Sequence, residues 1–321
     1  MLVRLALAAL SLHAVTAAPA PQGATTWYAV STTPQGDTVS PPTHWYAVDT
    51  SSTTTPSSRT TSSSTVASST SSSASSSSSS APASSTAIVS SKKGVGYNDE
   101  YLTRELAISW AYNWKSRRGG ELSEGVTYEP MLWGRNATGW ATDAQLGLDE
   151  GASALLHLNE PDIWSQSAMN VTEGIDSWLT NMSPFYGKTN LVSAAVSNSP
   201  EAANLRWLQY FFGNCTQCEQ ETHAVALHWY SDSFNTSAFK TWFTDAYELL
   251  QKPIWITEFG VQRFTSSSNV TQKQEFLEDV IPWMEAQPFI ERYAAFGTFP
   301  GRFVNDDGSL TALGRTYSET V

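Results

Sequence analysis

The chain has 321 residues and a formal net charge of −12, with a sequence pI near 4.8. This length allows one large domain or two of ordinary size, with a sizeable core. Only 18 lysines and arginines stand against 30 aspartates and glutamates, which argues against a basic surface for nucleic acid or an anionic membrane. Aromatic residues make up 12% of the chain, with 13 tryptophans, and favour stacking on flat apolar faces of an uncharged partner.

Residues 1–18 are typical of a cleaved secretory signal. Arg4 precedes an apolar run from Leu5 to Val15, small residues follow, and the run is too short to span a membrane. No second apolar stretch and no apolar C-terminal tail follow it. We therefore expect no membrane anchor and a secreted protein that is extracellular or associated with a cell wall.

Residues 19–49 form a polar tail that carries a duplication, TTWYAV at 25–30 and THWYAV at 43–48. The repeat could contact a polysaccharide or a partner, but a low-complexity tail is the favoured interpretation. Residues 50–91 are almost wholly serine and threonine and cannot bury enough apolar area to offset chain entropy. We interpret them as a disordered, O-glycosylated linker, and residues 92–321 as the folded domain.

Six Asn-x-Ser/Thr sequons agree with secretion and predict a glycoprotein. Pro184, directly after the third sequon, is unfavourable for its modification. The sequons are at Asn136, Asn170, Asn181, Asn214, Asn235 and Asn269.

Cys215 and Cys218 are the only cysteines. In a secreted chain we expect them to form a local disulfide that fixes the loop before the next strand. A redox-active pair is the alternative, but no thioredoxin-like context surrounds them, and no paired ligands for zinc lie nearby.

From residue 92 onward, short apolar runs alternate with amphipathic stretches. Eight of these runs are predicted to be strands. Eight buried strands that alternate with helices over this length predict a (β/α)8 barrel, which belongs to the α/β class. A doubly wound sheet is the alternative, but GVGYND matches its glycine-rich turn poorly. The predicted strands are 94–98, 107–114, 127–134, 154–160, 190–196, 224–230, 254–260 and 292–299. The clearest predicted helices are 171–182, 199–213, 236–251 and 270–287, with Ser199 and Thr236 as possible caps.

Two of the predicted strands end in a glutamate. ALLHLNEPD runs to Glu160, which Pro161 follows, and PIWITEFG runs to Glu258. Because the active site of such a barrel lies at the carboxyl ends of its strands, we expect the two carboxylates to meet there. Amides and aromatic rings end several other strands. Paired carboxylates, amides and rings are the groups that cleave a glycosidic bond.

The motifs GVGYN, SWAYNW, EPMLWG, LHLNEPD, LVSAA, ALHWY and PIWITEFG, in this order, resemble glycoside hydrolase family 128, the fungal-type β-1,3-glucanases of glycosidase clan A. The resemblance covers residues 94 to about 316. It implies that Glu160 is the general acid and base and that Glu258 is the nucleophile of a retaining hydrolase. The residues that it implies for substrate binding are Asn113, Trp114, Trp133, Asn159, His228, Trp229 and Tyr230.

The expected partner is a β-glucan polysaccharide or oligosaccharide of the fungal cell wall, with no metal or other cofactor, and we expect a monomer. Asp162 is interpreted as a loop carboxylate bonded to backbone. Two alternatives stay open: a non-catalytic or weakly active wall-glucan-binding protein, and hydrolysis of another β-glycan.

Overall fold

The computed structural model describes residues 90–264 and 269–321. The predicted signal, the tail and all but the last two residues of the predicted linker lie outside the described residues. Among the described residues, no helix has the length and apolar character needed to cross a membrane.

Strands and helices alternate along the described chain. The strands are β1 (Lys93–Tyr97), β2 (Trp110–Tyr112), β3 (Thr127–Tyr128), β4 (Ala154–Leu156), β5 (Asn190–Val192), β6 (Val225–Ser231), β7 (Ile254–Val261) and β8 (Ile290–Thr298). The α-helices are α1 (Trp140–Asp149), α2 (Val171–Ser177), α3 (Leu205–Asn214), α4 (Thr216–Glu221), α5 (Thr236–Leu250), α6 (Val270–Ala286) and α7 (Ala312–Glu319).

All strand pairs are parallel. β1 pairs with β2 and β8, and the pairs β2–β3, β4–β5, β6–β7 and β7–β8 follow. Isolated parallel bridges join the remaining neighbours, for example Met131 with Leu156 between β3 and β4, and Val192 with Ala224 between β5 and β6. The ring therefore closes from β8 back to β1, which confirms the predicted α/β fold.

Side chains alternate between the inside of this ring and the layer beneath the helices. Ala154 and Leu156 of β4 belong to the apolar cluster that fills the ring, whereas Leu155 packs with the helices. On β6, Ala226 is inside and Leu227 is outside. This two-residue period decides which predicted residues can reach the site.

The helix predicted over 199–213 begins later than expected, at Leu205, so Ser199 is not its cap. The Asp162 carboxylate accepts hydrogen bonds from the backbone N–H groups of Ser197 and Asn204, which hold the preceding segment as a loop. These bonds confirm the interpretation of Asp162. At the helix predicted from 236, the cap is Asn235, whose side chain accepts from Ala238 N. Helices α1, α4 and α7 were not among the clearest predicted helices.

The predicted disulfide is present, with an S–S distance of 2.06 Å between Cys215 and Cys218. It ties the start of α4 to the residue before that helix. Both sulfur-bearing residues are buried, so an attacking thiolate has little access. A structural role is therefore favoured over the redox alternative.

The base of the barrel holds a buried ion pair between Glu129 and Arg292, with 2.6 Å between Oε1 and Nη1. The Glu129 carboxylate also accepts from the backbone N–H groups of Ser153 and Ala154. The Arg292 guanidinium lies 4.5 Å from the ring centre of Trp255. This pair connects β8 to the end of β3 and, through the Glu129 carboxylate, to the start of β4.

Candidate active site

Glu160 follows β4 at the carboxyl end of the barrel. Its backbone N–H donates to the carbonyl of Ala195, at 2.8 Å, so the residue stays tied to the chain after β5. Its φ is 41°, in the left-handed region that residues with side chains rarely occupy. The chain thus turns sharply between Glu160 and Pro161 and leaves the carboxylate at the mouth of the barrel, mostly buried.

Glu258 lies within β7 and is also buried. Its Oε1 accepts a hydrogen bond from the indole Nε1 of Trp114 at 2.8 Å. The Tyr230 hydroxyl makes a short hydrogen bond to Oε2. Tyr112, whose hydroxyl donates to the Thr257 carbonyl at 2.9 Å, lies 3.4 Å from Oε1. Fixed donors on both carboxylate oxygens hold the Glu258 carboxylate in one orientation.

Burial, together with the negative charge of Glu258 and Glu160, raises the pKa of Tyr112 and of Tyr230 well above the ordinary value. Both hydroxyls therefore keep their protons at neutral pH and act as donors.

His228 lies between the two glutamates. Its Nδ1 is 2.8 Å from Glu160 Oε1, and its Nε2 is 3.6 Å from Glu258 Oε1. Complete burial opposes protonation of the ring, but the carboxylates of Glu258, Glu160 and Asp162 outweigh burial and raise the pKa of His228 above 6.5. A protonated imidazole in this position reduces the repulsion between two neighbouring carboxylates.

Glu160, His228 and Glu258 offer oxygen and nitrogen atoms that all lie within 4.8 Å of one another. Such a group could hold a metal ion. Here, however, the two ring nitrogens of His228 face different carboxylates. Nδ1 is within hydrogen-bonding distance of Glu160, and Nε2 lies at ion-pair distance from Glu258 without a hydrogen bond to any described residue, which suits an ion-paired bridge better than a shared ion. The arrangement offers two carboxylates for acid, base or nucleophilic chemistry on one bond.

Asn113 and Trp229, both predicted to bind substrate, are not brought to the site. The Asn113 amide oxygen accepts from the Tyr128 hydroxyl, and its nitrogen donates to the Arg117 carbonyl. The Trp229 ring stacks on Phe276 beneath the helices, with 5.8 Å between ring centres. The two-residue period is the reason, since the residues directly before and after each of them along the chain point inward.

Asn159 and Trp133 lie beside Glu160. The Asn159 backbone N–H donates to the Trp133 carbonyl at 2.9 Å, and the half-buried Trp133 packs against the cluster inside the barrel. The Asn159 side-chain nitrogen donates to Gln166 Oε1 at 3.2 Å. Its Oδ1 is buried and has no hydrogen-bond partner among the described residues, which leaves an acceptor available at the mouth.

Sequence reasoning missed an aromatic and cationic group beyond β8. Phe299 stacks with Trp114, with ring centres 6.5 Å apart, and the Arg302 guanidinium lies 4.4 Å from the Phe299 ring centre. Burial lowers the pKa of Arg302 to about 10, so it remains charged at neutral pH. The two phenylalanines and the arginine of FGTFPGR, which spans the end of β8, are the signal that could have revealed this group.

A closed parallel barrel with two buried glutamates at its carboxyl end is the architecture of a glycoside hydrolase. In agreement, the family described as glycosyl hydrolase catalytic core matches residues 90–317. Together with the structural similarities below, this places the chain in glycoside hydrolase family 128. No match is found among curated proteins.

Among solved structures, a family 128 subgroup III curdlan-specific exo-β-1,3-glucanase from Blastomyces gilchristii, in complex with glucose, is 32% identical, with a TM-score of 0.64. The match covers 71% of this chain and 97% of that one. A subgroup II endo-β-1,3-glucanase from Sorangium cellulosum is 26% identical, with a TM-score of 0.60, over 72% of this chain and 98% of that one. A subgroup VII oligosaccharide-binding protein from Trichoderma gamsii, at 24% identity and a TM-score of 0.55 over 71% and 93%, shares the fold.

Proposed function

We propose that the protein is a secreted, retaining β-1,3-glucanase, with Glu160 as acid and base and Glu258 as nucleophile. The observation that carries the proposal is the pair of buried glutamates whose oxygen atoms approach within 4.8 Å across His228. The similarity to β-1,3-glucanases of the same family supports the substrate class.

In the first step Glu258 attacks the anomeric carbon while Glu160 protonates the departing glycosidic oxygen, with a proton that passes from the His228 imidazolium to Glu160 across their hydrogen bond. Trp114 and Tyr230 hold the Glu258 oxygens through hydrogen bonds, so the attacking carboxylate is oriented before substrate arrives. In the second step Glu160 takes a proton from water, and the resulting nucleophile cleaves the glycosyl-enzyme ester. Each group ends the cycle in its starting protonation state.

The carboxylate separation supports retention of configuration. Retaining enzymes hold their two carboxyl groups about 5–5.5 Å apart, whereas inverting enzymes need about 6.5–9.5 Å to admit a water molecule. One oxygen atom of each carboxylate lies within 4.8 Å of the other, which is closer to the shorter class. Proton NMR of the fresh products of β-1,3-glucan hydrolysis should therefore detect the β-anomer first. An initial α-anomer would overturn the retaining mechanism.

Azide rescue assigns the two roles. Azide needs no general base, so it should restore turnover of an activated β-glucoside by Glu160→Ala and give a β-glycosyl azide. With Glu258→Ala it should give the α-azide, because it then attacks from the face that the nucleophile occupied. Glu248→Gln, which changes an exposed glutamate on α5, is the control and should retain wild-type activity. Full activity of either alanine variant without azide would contradict its assignment.

Both rival functions are tested by the same assay. A glucan-binding protein would retain β-1,3-glucan and release no reducing ends, whereas the proposed enzyme loses hydrolysis in Glu160→Gln and Glu258→Gln. Faster release from a β-mannan or a β-1,4-glucan than from a β-1,3-glucan would move the proposal to another β-glycan.

We also propose that the protein is exported and N-glycosylated. The support comes from the sequons, of which all but Asn181 are exposed. Asn181 is half-buried, and its side-chain nitrogen, the atom that carries the glycan, already donates to the Ser177 carbonyl. Mass spectrometry after enzymatic glycan removal in a eukaryotic host should find Asn136 and Asn269 modified and Asn181 unmodified. The absence of glycans at all six sites would contradict export by this route.

A further inference from the structure

Trp164 is the outlier among the tryptophans. The described residues contain eleven of them, and ten are buried or half-buried, whereas Trp164 is 91% exposed. A single exposed apolar residue is ordinary in itself. The position of Trp164 is unusual, because this residue comes four residues after Glu160.

Residues 161–169, here called the acid loop, carry Trp164 and are firmly held. Met169 N donates to the Pro161 carbonyl at 3.1 Å, which closes the loop on itself. The Arg135 guanidinium donates to the carbonyls of Ser167 and Ala168, at 2.9 and 2.7 Å.

The acid loop is also anchored at its two ends. Asp162 accepts from the backbone and hydroxyl of Ser197, and Ser167 N donates to the Asn159 carbonyl. A loop fixed at so many points holds Trp164 in solvent before any ligand binds. The ordering entropy that a flexible platform would lose on binding is therefore largely absent.

The proposed mechanism indicates which part of a glucan chain lies near the acid loop. The acid must reach the glycosidic oxygen of the departing sugar, whereas the nucleophile must reach the anomeric carbon of the sugar that is retained. Glu258 is held by Trp114 and Tyr230, and Phe299 stacks on Trp114, so the retained sugar belongs there. The departing sugars belong on the side of Glu160 and its loop.

We propose that Trp164 is a stacking platform for a sugar ring of the departing, reducing-end part of the β-1,3-glucan chain. The inference rests on the proposed glucanase function and adds a specificity-determining residue to it. An indole presents a flat apolar face that matches the apolar face of a glucose ring, and its exposure lets the chain continue into solvent.

Two substrates separate the effect of Trp164 on the departing sugars from its effect on the rest of the site. A β-1,3-gluco-oligosaccharide fills the departing-sugar side, whereas laminaribiosyl fluoride has fluoride as its leaving group and places no sugar there. Trp164→Ala should lower kcat/KM on the oligosaccharide by about two- to tenfold, mainly through KM, as expected for loss of one aromatic stacking contact. Its kcat/KM on the fluoride should equal that of wild type. Trp164→Phe should recover part of the loss.

Tyr210→Ala is the matched control, since it removes an aromatic ring that is 61% exposed on α3. Equal oligosaccharide kinetics for wild type and Trp164→Ala would overturn the platform and leave the glucanase function standing. A matching loss on both substrates with a lower Tm would also overturn it, because that pattern marks a structural role. If the wild-type protein is inactive on both substrates, the proposed glucanase function is overturned, and the platform is overturned with it.

Discussion

His228 links the two glutamates at the scale of single residues. Each ring nitrogen faces a different carboxylate, at 2.8 and 3.6 Å, and the ring is completely buried. A buried charge is unfavourable unless it is compensated, and here the positive imidazolium and the negative carboxylates compensate each other. We therefore expect the same residue to affect both catalysis and stability.

This coupling predicts a pH dependence. The pKa of His228 is raised above 6.5 in the folded protein, so its protonated form contributes stability that is fully present below about pH 6.5 and is lost as pH rises through the folded pKa. Urea unfolding between about pH 5 and pH 9 should show this decline in wild type and a smaller one in His228→Gln. His223→Gln, which removes an exposed histidine, is the control. Parallel pH profiles for wild type and His228→Gln would contradict the assignment.

The alternation of side chains explains which single residues could be predicted. On β6 the period places His228 and Tyr230 inside and Trp229 outside, so strict use of the period would have excluded Trp229. On β7 the two-residue period gives a wrong prediction. Trp255 is inside, and a strict alternation that starts from Trp255 would turn Glu258 outward. The pairing of β7 with β8 shifts register between Ile256 and Phe259, and Glu258 points inward. An irregularity of this kind leaves no mark in the sequence pattern.

At the scale of elements, all eight strands were predicted in order, since buried parallel strands are short apolar runs. Their lengths were overestimated where loops are apolar. The run predicted over 107–114 contains a strand of three residues, Trp110–Tyr112. Beyond the strand, Trp114 has a left-handed φ of 57°, and its indole turns to Glu258.

The ion pair at the base of the barrel gives the prediction at this scale. Arg292→Met leaves the Glu129 carboxylate fully buried without its cation, so we expect the free energy of unfolding to fall by about 3–5 kcal/mol. The double variant Glu129→Gln, Arg292→Met should be more stable than the single one. Urea unfolding measures both.

The control is the exposed pair of Lys240 and Asp279 on α5 and α6, with 2.9 Å between its charged atoms. Lys240→Met should change the free energy of unfolding by less than about 1 kcal/mol, because solvent screens exposed pairs. If Lys240→Met and Arg292→Met lower the free energy of unfolding by equal amounts, the buried pair has no special role at the base of the barrel.

At the scale of the whole molecule, the two ends of the barrel domain are bound together. The Lys93 ammonium, at the start of β1, donates to the Tyr317 carbonyl at 2.8 Å and to the Thr320 carbonyl at 2.5 Å. Lys92 donates to the carbonyls of Glu285 and Gln287, each at 2.9 Å. Because β1 also has strand neighbours on both sides, the barrel is complete from residue 90 onward.

A chain comprising residues 90–321 should therefore fold by itself. We expect the same Tm and the same kcat/KM on a soluble β-1,3-gluco-oligosaccharide as for the longer protein, since the family match also begins at residue 90. Thermal unfolding followed by circular dichroism and a reducing-end assay would measure both. A truncated chain that aggregates or melts several degrees lower would show that the barrel needs residues before 90.

The sequence by itself determined the barrel, its strand order and the two glutamates, because apolar period and strand-ending residues are local properties of the chain. The approach of Glu160 and Glu258, 98 positions apart, was expected from the common end of the barrel strands. Only the tertiary structure decided that His228 lies between them, that Asn113 and Trp229 face away, and that the loop after Glu160 leaves Trp164 in solvent. Those outcomes depend on strand register and loop anchoring between distant segments, which no local pattern encodes.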